Sequence, residues 1–283
     1  MVVLVTGASG QLGQALQSIA NQYAEIEFQF YTSSELDITN LENCKTIFAE
    51  ARPDFCINAA AYTAVDKAES EPEKARVINV EGPRNLAIVC KEFGVVLLHI
   101  STDFIFDGAA TKPYTEEDSP NPTGVYGQTK LEGEKAIQEI WEKHFIIRTS
   151  WVYSEFGNNF LKTMLRLGSE RDALSVVNDQ IGTPTNAVDL AKALLKIIKS
   201  CDDEFISASH YGVYNFSNEG QCSWYDFAKK IFEINNINID LQPIPTSNYP
   251  TPAKRPAYSV LDKSKIKRIF GVEVREWEEF VVI

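Results

Sequence analysis

A tyrosine and a lysine stand one helical turn apart in the segment VYGQTK, as Tyr126 and Lys130. Residues four apart on a helix are neighbours on one face, and an ammonium beside a phenol lowers the pKa of the phenol. Such a tyrosine can donate a proton near neutral pH. The same spacing recurs at Tyr225 and Lys229, so the spacing alone identifies no catalytic pair, and the rest of the chain must decide between them.

Hydroxyl and carboxyl groups follow an apolar run that we predict to be a buried strand, VVLLHIS at 95–101. The segment ISTDFIFDG places Ser101, Thr102 and Asp103 at the carboxyl end of that strand. Reduction of a ketone needs a hydride, a proton for the developing alkoxide and a hydrogen bond that polarises the carbonyl. Thr102 is the candidate for that hydrogen bond. A helix just after this strand end would bring the first tyrosine–lysine pair to it, whereas the second pair lies far downstream.

Three glycines directly follow the first predicted strand, in the segment VVLVTGASGQLGQAL. Glycine lets the backbone turn tightly and approach a pyrophosphate, and the N-terminus of the next helix offers free N–H groups and a partial positive charge. We therefore predict that Gly7, Gly10 and Gly13, with Gln11 and Leu12 between the last two, bind a dinucleotide. A reduced nicotinamide dinucleotide would supply the hydride.

Strand and helix candidates alternate along the first half of the chain. The strands are predicted at 2–6, 27–31, 54–59, 95–101 and 145–150, and the helices at about 11–21, 40–51, 71–92 and 126–143. Several strands are apolar throughout, which is typical of strands buried on both faces of a parallel sheet. The alternation predicts an α/β fold of the Rossmann type, a doubly wound parallel sheet that binds its ligands at the carboxyl ends of the strands. Thr39 and Glu42 have the spacing of a capping box at the start of the second helix.

The regular alternation ends after Ser150, where helices, strands and a proline-rich stretch are mixed. We therefore expect a NAD(P)-binding Rossmann domain over 1–150 and a smaller, mixed substrate-binding lobe over 151–283. Some segments of the second half should return to the main sheet.

Composition excludes several classes of function. The formal net charge of −12 argues against a nucleic-acid surface. No apolar run approaches the ~20 residues of a membrane span. The 5 cysteines are scattered and the 3 histidines lack metal-ligand spacing, so we expect reduced thiols, no metal site and a cytoplasmic protein.

Several segments together carry a resemblance to a known family. The glycine spacing G-x-x-G-x-x-G resembles the extended short-chain dehydrogenase/reductase superfamily. The family-specific segments include NAAAYTAVDKAESEPE (58–73), STDFIFDG (101–108), VYGQTKLEGEKA (125–136), NDQIGTPT (178–185) and TPAKRP (251–256). They resemble the dTDP-4-dehydrorhamnose reductases over nearly the whole chain. The resemblance implies an NAD(P)H-dependent enzyme that reduces the C4 keto group of dTDP-4-dehydro-L-rhamnose to dTDP-L-rhamnose, for cell-surface polysaccharide.

The same resemblance implies roles for individual residues. The catalytic group would be Thr102, Tyr126 and Lys130. The cofactor contacts would be Gly7, Gly10, Gln11, Leu12, Gly13, Asp37, Ile38, Ala61, Tyr62, Thr63, Ser101, Tyr126 and Lys130. The substrate contacts would be Thr102, Asp103 and Trp151, and further candidates for the nucleotide diphosphate are Asn158, Asn159, Lys162, Lys254 and Arg255.

The sequence leaves open the choice between NADPH and NADH and the oligomeric state. The second strand ends in FYTSSELD, without a carboxylate at the strand end to repel a 2′-phosphate and without an arginine to bind one. We therefore expect NADPH or NADH to serve. Some relatives form a homodimer bridged by Mg²⁺ through glutamates, where this chain has Ala15 and Val188. Any homodimer of this chain should therefore lack the metal bridge.

Other functions remain open at this stage. Sugar-nucleotide dehydratases share the tyrosine and lysine but add a glutamate after the threonine–aspartate pair, where this chain has Phe104. A dehydratase is therefore disfavoured, whereas a sugar epimerase is compatible with the spacing. The main alternative from a different class is a non-catalytic, nucleotide-binding regulatory subunit that resembles the one of methionine adenosyltransferase.

Overall fold

The computed structural model describes residues 1–202 and 207–280. Over these residues the strands, in chain order, are β1 (Val2–Thr6), β2 (Glu27–Tyr31), β3 (Phe55–Asn58), β4 (Val96–Thr102), β5 (His144–Thr149), β6 (Val152–Tyr153), β7 (Ala173–Val177), β8 (Ile181–Gly182), β9 (Thr185–Asn186), β10 (Gly212–Asn215), β11 (Cys222–Ser223) and β12 (Asp240–Ile244). The helices are α1 (Gln11–Ile19), α2 (Leu41–Ala51), α3 (Val65–Ala68), α4 (Pro72–Arg76), α5 (Gly82–Phe93), α6 (Val125–Ile140), α7 (Phe160–Glu170), α8 (Ala187–Asp202), α9 (Trp224–Ile234) and α10 (Ser264–Phe270). A π-helical turn, Val77–Glu81, joins α4 to α5, and a 3-10 turn, Asp103–Ile105, follows β4.

The main sheet has six parallel strands in the order β10-β5-β4-β3-β1-β2. The chain runs from β1 to β2 on one side and then returns to β3 on the other side of β1. This reversal is the switch point at which doubly wound sheets bind ligands, outside the carboxyl ends of the strands. The predicted Rossmann-type α/β fold is confirmed, and the segments that follow β1, β3 and β4 meet along one edge of the sheet.

Helices cover both faces of the sheet because successive side chains of a strand point in opposite directions. Val3 and Val5 of β1 belong to the hydrophobic core that includes Leu16 of α1. Leu4, between them, belongs to the core on the other face, with Phe48 of α2. Every residue of β3 and of β5 is buried, as predicted for strands with apolar runs.

The second half of the chain contributes both to the main sheet and to a separate hydrophobic cluster. Helix α8 packs on α1, and β10 extends the main sheet beside β5. Helices α7 and α9 pack with β7 and β12 in a separate hydrophobic cluster that contains Met164, Phe227 and Ile231. The division of the chain at residue 150 stays a prediction. Among the helices of the described residues, none combines the length and the apolar composition of a membrane span.

The helix predicted at 71–92 is interrupted in the structure. Pro83 stands at the start of α5 and has no N–H to donate to the carbonyl of Asn79. The chain forms the π-helical turn there, a feature often found at functional sites. The Asn79 amide accepts a hydrogen bond from the Tyr62 N–H at 2.8 Å and donates to Thr129 Oγ1 at 3.2 Å. The interruption thus connects the segment after β3 to helix α6.

The capping box predicted at Thr39 and Glu42 is wrong. Asn40 caps α2, since its Oδ1 accepts a hydrogen bond from the Asn43 N–H at 3.1 Å. Thr39 instead donates its N–H and its hydroxyl to Asp37 Oδ1, at 2.9 and 2.7 Å. Aspartate commonly bonds the backbone two residues on, and this turn delays the helix start by one residue.

A buried ion pair connects α6 to β5. Arg148 Nη2 donates to Glu134 Oε2 at 2.8 Å and Arg148 Nε donates to Oε1 at 3.1 Å. The side chains are only 1% and 5% exposed, for Glu134 and Arg148 respectively. Breaking such a pair on one side leaves an uncompensated charge in the interior. The pair therefore holds the helix that carries Tyr126 and Lys130 in place on the sheet.

Replacement of Glu134 should destabilise the fold strongly. We expect Glu134→Gln to lower the free energy of unfolding by about 3–5 kcal/mol, because the buried guanidinium loses its counter-charge. The double variant Glu134→Leu with Arg148→Met should recover most of that loss. Glu170→Gln, which breaks an exposed ion pair with Arg166, is the control and should cost less than about 1 kcal/mol. Urea unfolding measures the stability of all three variants. A double variant as unstable as Glu134→Gln would contradict the role given to the buried ion pair.

Candidate active site

The glycine turn lies against the segment that follows β3. Gly7 has φ +67°, and a Cβ there would come within 2.7 Å of the Ala60 nitrogen. A Cβ at Gly13 would lie 2.5 Å from the Gly7 carbonyl oxygen. Gly10 caps α1 without a side-chain hydrogen bond, so N–H groups of the first helical turn have no side-chain cap. Space without side chains beside free N–H groups fits a pyrophosphate.

Gln11, the first residue of α1, connects the glycine turn to the second half of the chain. Its Oε1 accepts hydrogen bonds from Asn159 Nδ2 at 2.9 Å and from Ser154 Oγ at 3.2 Å. Asn159 also caps α7 through the Lys162 N–H, and Lys162 Nζ donates to the Glu155 carbonyl at 3.1 Å. The structure thus places Asn159 beside the predicted dinucleotide site, and Lys162 on the exposed side of α7. Their predicted contact with the nucleotide diphosphate stays a prediction.

The other predicted cofactor residues lie along the same edge. Tyr62 is buried and donates its hydroxyl to Glu71 Oε2 at 2.8 Å. Ile38 packs against Gly82, and its carbonyl accepts from Asn85 Nδ2 at 3.0 Å. Ser101 Oγ is buried and has no hydrogen-bond partner among the described residues. An unpartnered hydroxyl at this edge fits a polar ligand.

Glu35, the carboxylate nearest the end of β2, is bound by Thr32. Glu35 Oε2 accepts hydrogen bonds from the N–H and the hydroxyl of Thr32, both at 2.8 Å. These two hydrogen bonds lower the pKa of Glu35. The carboxylate therefore stays ionised beside the strand end at which short-chain dehydrogenases recognise the adenosine ribose.

Helix α6 brings Tyr126 to the turn that follows β4. The helix begins at Val125, whose N–H donates to Glu69 Oε1 at 2.8 Å. A Cβ at Gly127 would lie 2.1 Å from the Phe104 carbonyl oxygen, so the helix backbone touches the turn. The rings of Phe104 and Tyr126 meet edge to face with centroids 5.5 Å apart. Tyr126 and the turn that carries Thr102 and Asp103 are therefore neighbours, as the sequence predicts.

Burial shifts the pKa values of both Tyr126 and Lys130. Burial raises the pKa of Tyr126 to about 12, the charge of Asp103 adds to this rise, and the Thr102 hydroxyl opposes it. Lys130 Nζ donates to the Ile100 carbonyl at 2.7 Å and lies 3.2 Å from His99 Nε2. The effect of Lys130 on the pKa of Tyr126 stays a prediction. Burial lowers the pKa of Lys130 itself to about 8.

Thr102 and Asp103 form a polar pair at the end of β4. Both side chains are buried, and Thr102 Oγ1 donates to Asp103 Oδ1 at 3.0 Å. Burial raises the pKa of Asp103 to about 6, while the hydroxyls of Ser259 and Thr102 oppose the rise. The pair can present a hydroxyl and a carboxyl to a polar ligand.

A cavity of about 1030 Å³ opens between this turn and the α7–α9 lobe. Phe104, Trp151, Phe160, Trp224, Arg166, Arg171 and Arg255 are among the residues that line it. Trp151 has φ +46° and stacks on Trp224 with ring centroids 3.5 Å apart. Stacked aromatic walls and arginines suit a ligand with apolar faces and negative charge.

An ion pair with Asp66 fixes the Arg255 side chain at the wall of the cavity. Its guanidinium donates to both carboxylate oxygens of Asp66 in α3, at 2.7 and 2.8 Å. The Ala253 N–H also donates to Asp66, at 3.2 Å. The predicted diphosphate residue is therefore one half of a bidentate ion pair that joins the TPAKRP segment to the segment after β3.

Sequence reasoning missed several residues of the site. Trp224 follows Ser223, which forms a capping box with Asp226, and this S-x-x-D signal could have marked the start of α9. Arg166 and Arg171 carry no local signal, since only tertiary packing brings them to the cavity. In the second tyrosine–lysine pair, Lys229 is exposed and lies 3.9 Å from Glu233, while Tyr225 packs against the hydrophobic cluster of α7 and α9. In the described part of the chain, no group of three or more His, Cys, Asp or Glu side chains is placed to hold a metal ion.

Comparison with known proteins adds the family. A family model described as RmlD substrate binding domain matches residues 1–282. The dTDP-4-dehydrorhamnose reductase of Aggregatibacter actinomycetemcomitans is 43% identical over 284 residues, which cover 98% of this chain and 95% of that protein. The chain belongs to the dTDP-4-dehydrorhamnose reductase family.

Solved structures of the family agree with this assignment. The structure of a dTDP-4-dehydrorhamnose reductase from Clostridium acetobutylicum has a TM-score of 0.93 and 44% identity, and the match covers 99% of this chain and 96% of that one. That of the Bacillus anthracis reductase, in complex with NADP, has a TM-score of 0.92 and 42% identity, with coverage of 99% and 96%. The dTDP-4-dehydrorhamnose reductase relatives support the predicted reductase and do not support the alternative of a regulatory subunit.

The tight glycine turn predicts how a substitution at Gly7 changes the affinity for NADPH. Gly7→Ala should weaken NADPH binding at least about tenfold, because a Cβ would displace the backbone that borders the pyrophosphate position. Gly94→Ala is the matched control, since Gly94 also has positive φ but nothing lies within 4 Å of its Cβ position. Gly94→Ala should lose about 1 kcal/mol of stability from the left-handed backbone, and Gly7→Ala should lose more, because its Cβ would also clash with the backbone of Ala60. Fluorescence titration with NADPH measures the affinities, and equal affinity in the two variants would refute the role of the turn.

The raised pKa of Asp103 predicts a dependence of stability on pH. Between the ordinary value of 3.8 and about 6, the unfolded chain releases this proton while the folded protein keeps it. The free energy of unfolding should therefore fall across that window and not regain the loss at higher pH. Asp103→Asn should remove roughly 1–3 kcal/mol of this fall. Asp107→Asn is the control, because hydrogen bonds lower the pKa of Asp107 below 3.8 and its contribution therefore changes mainly at lower pH. Denaturant unfolding at pH 4 and pH 7 should show a smaller fall in Asp103→Asn and a nearly unchanged fall in Asp107→Asn.

Proposed function

We propose that the protein reduces the C4 keto group of dTDP-4-dehydro-L-rhamnose to dTDP-L-rhamnose, with NADPH or NADH as the hydride donor. The observation that carries the proposal is the meeting of Thr102, Asp103 and Tyr126 beside Phe104, which lines the cavity, on the sheet edge that also bears the glycine turn. Membership of the reductase family supports the same reaction.

The chain's own residues supply the proton and polarise the carbonyl. When bound, the reduced nicotinamide supplies the hydride to C4. Tyr126 holds its proton at neutral pH, because burial raises its pKa to about 12. It gives this proton to the oxygen that gains negative charge as C4 is reduced, and water restores it afterwards. The Thr102 hydroxyl, which donates to Asp103 Oδ1 in this structure, turns to donate to the same oxygen and stabilises the developing alkoxide.

The cavity suits the remainder of the nucleotide sugar. Arg166, Arg171 and Arg255 bring cationic side chains to its walls, and guanidinium groups bind phosphate oxygens in bidentate geometry. Trp151 and Phe160 offer aromatic faces to the deoxysugar or the thymine ring. We place the diphosphate nearest Arg255, because the Asp66 ion pair holds that guanidinium in one orientation.

Both nicotinamide dinucleotides should serve as cofactor. The carboxylate of Glu35 at the end of β2 is occupied by Thr32, so it is not free to bind both ribose hydroxyls as the acid of a strict NAD site does. We assign Asp37 and Ile38 to the adenine and Ala61, Tyr62 and Thr63 to the wall of the nicotinamide half, in line with the family resemblance.

We further propose that residues 1–150 bind the cofactor and residues 151–283 mainly bind the substrate. Helix α8 and strand β10 are the segments of the second half that return to the main sheet. The cysteines at 44, 56, 90 and 222 are free thiols, which suits a reaction in the reducing cytoplasm. Ala15 is fully buried, so a homodimer, where it forms, uses no metal ligand at that position.

Steady-state turnover tests the proposal. Purified protein with dTDP-4-dehydro-L-rhamnose should oxidise NADPH and NADH, and the absorbance of the reduced nicotinamide follows the reaction. Sugar nucleotides with other nucleoside diphosphates, assayed in parallel, define the carrier. Absence of turnover with both cofactors would contradict the proposal and favour the regulatory subunit.

Removal of the phenolic hydroxyl tests the proton donor. Tyr126→Phe should lower kcat by about 10²–10⁴-fold, because general acid catalysis contributes that much, while the affinity for NADPH stays nearly unchanged. Tyr225→Phe in the second tyrosine–lysine pair is the matched control and should keep its activity. A Tyr126→Phe enzyme with unaltered kcat would refute the assignment.

A further inference from the structure

Helix α6, which carries Tyr126 and Lys130, is capped by a residue from a distant segment. The first N–H groups of a helix have no partner within the helix. Gly124, the N-cap residue, makes no side-chain hydrogen bond, and no acidic residue lies in the first turn. Glu69, 56 residues earlier, supplies an acceptor, since its Oε1 accepts from the Val125 N–H at 2.8 Å. A carboxylate at this end of a helix is also stabilised by the partial positive charge there.

The lack of a side chain at residue 124 makes room for this contact. A Cβ at Gly124 would lie 2.8 Å from Glu69 Oε1, and the other atom within 4 Å belongs to the same carboxyl group. The backbone of Gly124 is extended, with φ −145° and ψ 166°, a conformation that any residue adopts. The glycine is therefore required for space alone. Its replacement by alanine would displace the carboxylate without straining the backbone.

Glu69 directly follows α3, and α3 is held on two sides. Ala68 is fully buried and belongs to a hydrophobic cluster against which Tyr126 packs. Asp66, one turn earlier, binds the Arg255 guanidinium through both of its carboxylate oxygens, at 2.7 and 2.8 Å. The Glu69 side chain therefore extends from a fixed helix end to the start of α6.

We propose that Glu69 is a positioning residue of the reductase, which fixes the first turn of α6 and thereby holds Tyr126 against the turn that follows β4. Tyr126 is the next residue after Val125, so the bonded N–H and the phenol share one turn of the helix. The proposal rests on the proposed function, in which Tyr126 donates the proton. A reacting group misplaced by about 1 Å can cost about 10²-fold in rate.

Helix α3 also relates the proton donor to the substrate cavity. Asp66 and Glu69 are three residues apart, which is close to one helical turn. The first binds the arginine that we place at the diphosphate, and the second binds the start of the helix that carries the phenol. One short helix thus sets the distance between the two groups. Loss of the Glu69 contact should therefore disturb the chemical step more than the binding of substrate.

The contact itself can be measured without substrate. The Val125 amide hydrogen should exchange slowly with solvent in the native protein, because the Glu69 carboxylate accepts its hydrogen bond. Exchange followed by ¹⁵N NMR should be about tenfold faster in Glu69→Ala and in Gly124→Ala, as expected for the loss of a hydrogen bond to a charged group. Glu69→Gln keeps an acceptor oxygen and should exchange at close to the native rate. Unchanged exchange in Glu69→Ala would overturn the cap.

Steady-state kinetics measure the effect on the proton donor. Glu69→Ala and Gly124→Ala should each lower kcat about tenfold or more, whereas KM for the sugar nucleotide and the affinity for NADPH stay nearly unchanged. The double variant should lose no more than either single variant, because both substitutions break one contact. Glu69→Gln should recover most of kcat. Gly124→Ala leaves every other contact of the Glu69 segment in place, so it tests the proposal even if Glu69→Ala fails to fold.

Asp262→Ala is the matched control. Asp262 Oδ1 accepts from the first N–H of α10, that of Ser264, at 2.8 Å, and α10 carries no residue proposed for the site. This variant should keep the native kcat, so that a general effect of losing a helix cap is separated from the effect on Tyr126. A native kcat in Glu69→Ala, or an equal fall in Asp262→Ala, would overturn the proposal. Absence of turnover by the native protein would instead contradict the proposed function, and exchange at Val125 would still test the cap.

Discussion

The close approach of helix α6 to its neighbours determines the geometry of the site. Gly127 lies against the Phe104 carbonyl, and a Cβ at Gly133 would come within 2.2 Å of the Asn79 carbonyl oxygen. Only glycine lets the helix backbone touch both the turn after β4 and the π-helical turn before α5. Any larger residue at either position would move Tyr126 away from the hydroxyl and the carboxyl with which it acts. The precision of the chemistry therefore depends on two residues that have no side chain.

The two halves of the chain are connected at both ends of the site. Gln11 binds Asn159 near the glycine turn, and Asp66 binds Arg255 beside the cavity. Each connection joins a residue of the predicted cofactor domain to one of the predicted substrate lobe. The cofactor position and the substrate position are therefore held relative to each other by polar contacts as well as by packing.

Much of the fold can be predicted from the sequence because its signals are local. Apolar runs mark the buried strands, and three glycines after the first strand mark the turn at the start of α1. The order of a hydroxyl-bearing strand end and a tyrosine–lysine helix identifies the centre of the site. The cap of α2 differs from the prediction because Asp37 competes for Thr39. The helix before α5 is interrupted because Pro83 lacks the N–H that a regular helix needs. The partner of Lys130 could not be predicted, since His99 meets it only through sheet-on-helix packing.

The stack of Trp151 on Trp224 has an optical consequence. The two indoles come from the end of β5 and the start of α9, and their planes lie 10° apart with centroids at 3.5 Å. At this separation their electronic transitions couple, so the pair forms a chromophore whose circular dichroism in the near ultraviolet depends on the angle between the rings. Because one indole follows the main sheet and the other opens the α7–α9 cluster, that spectral band reports the relative orientation of the two walls of the cavity.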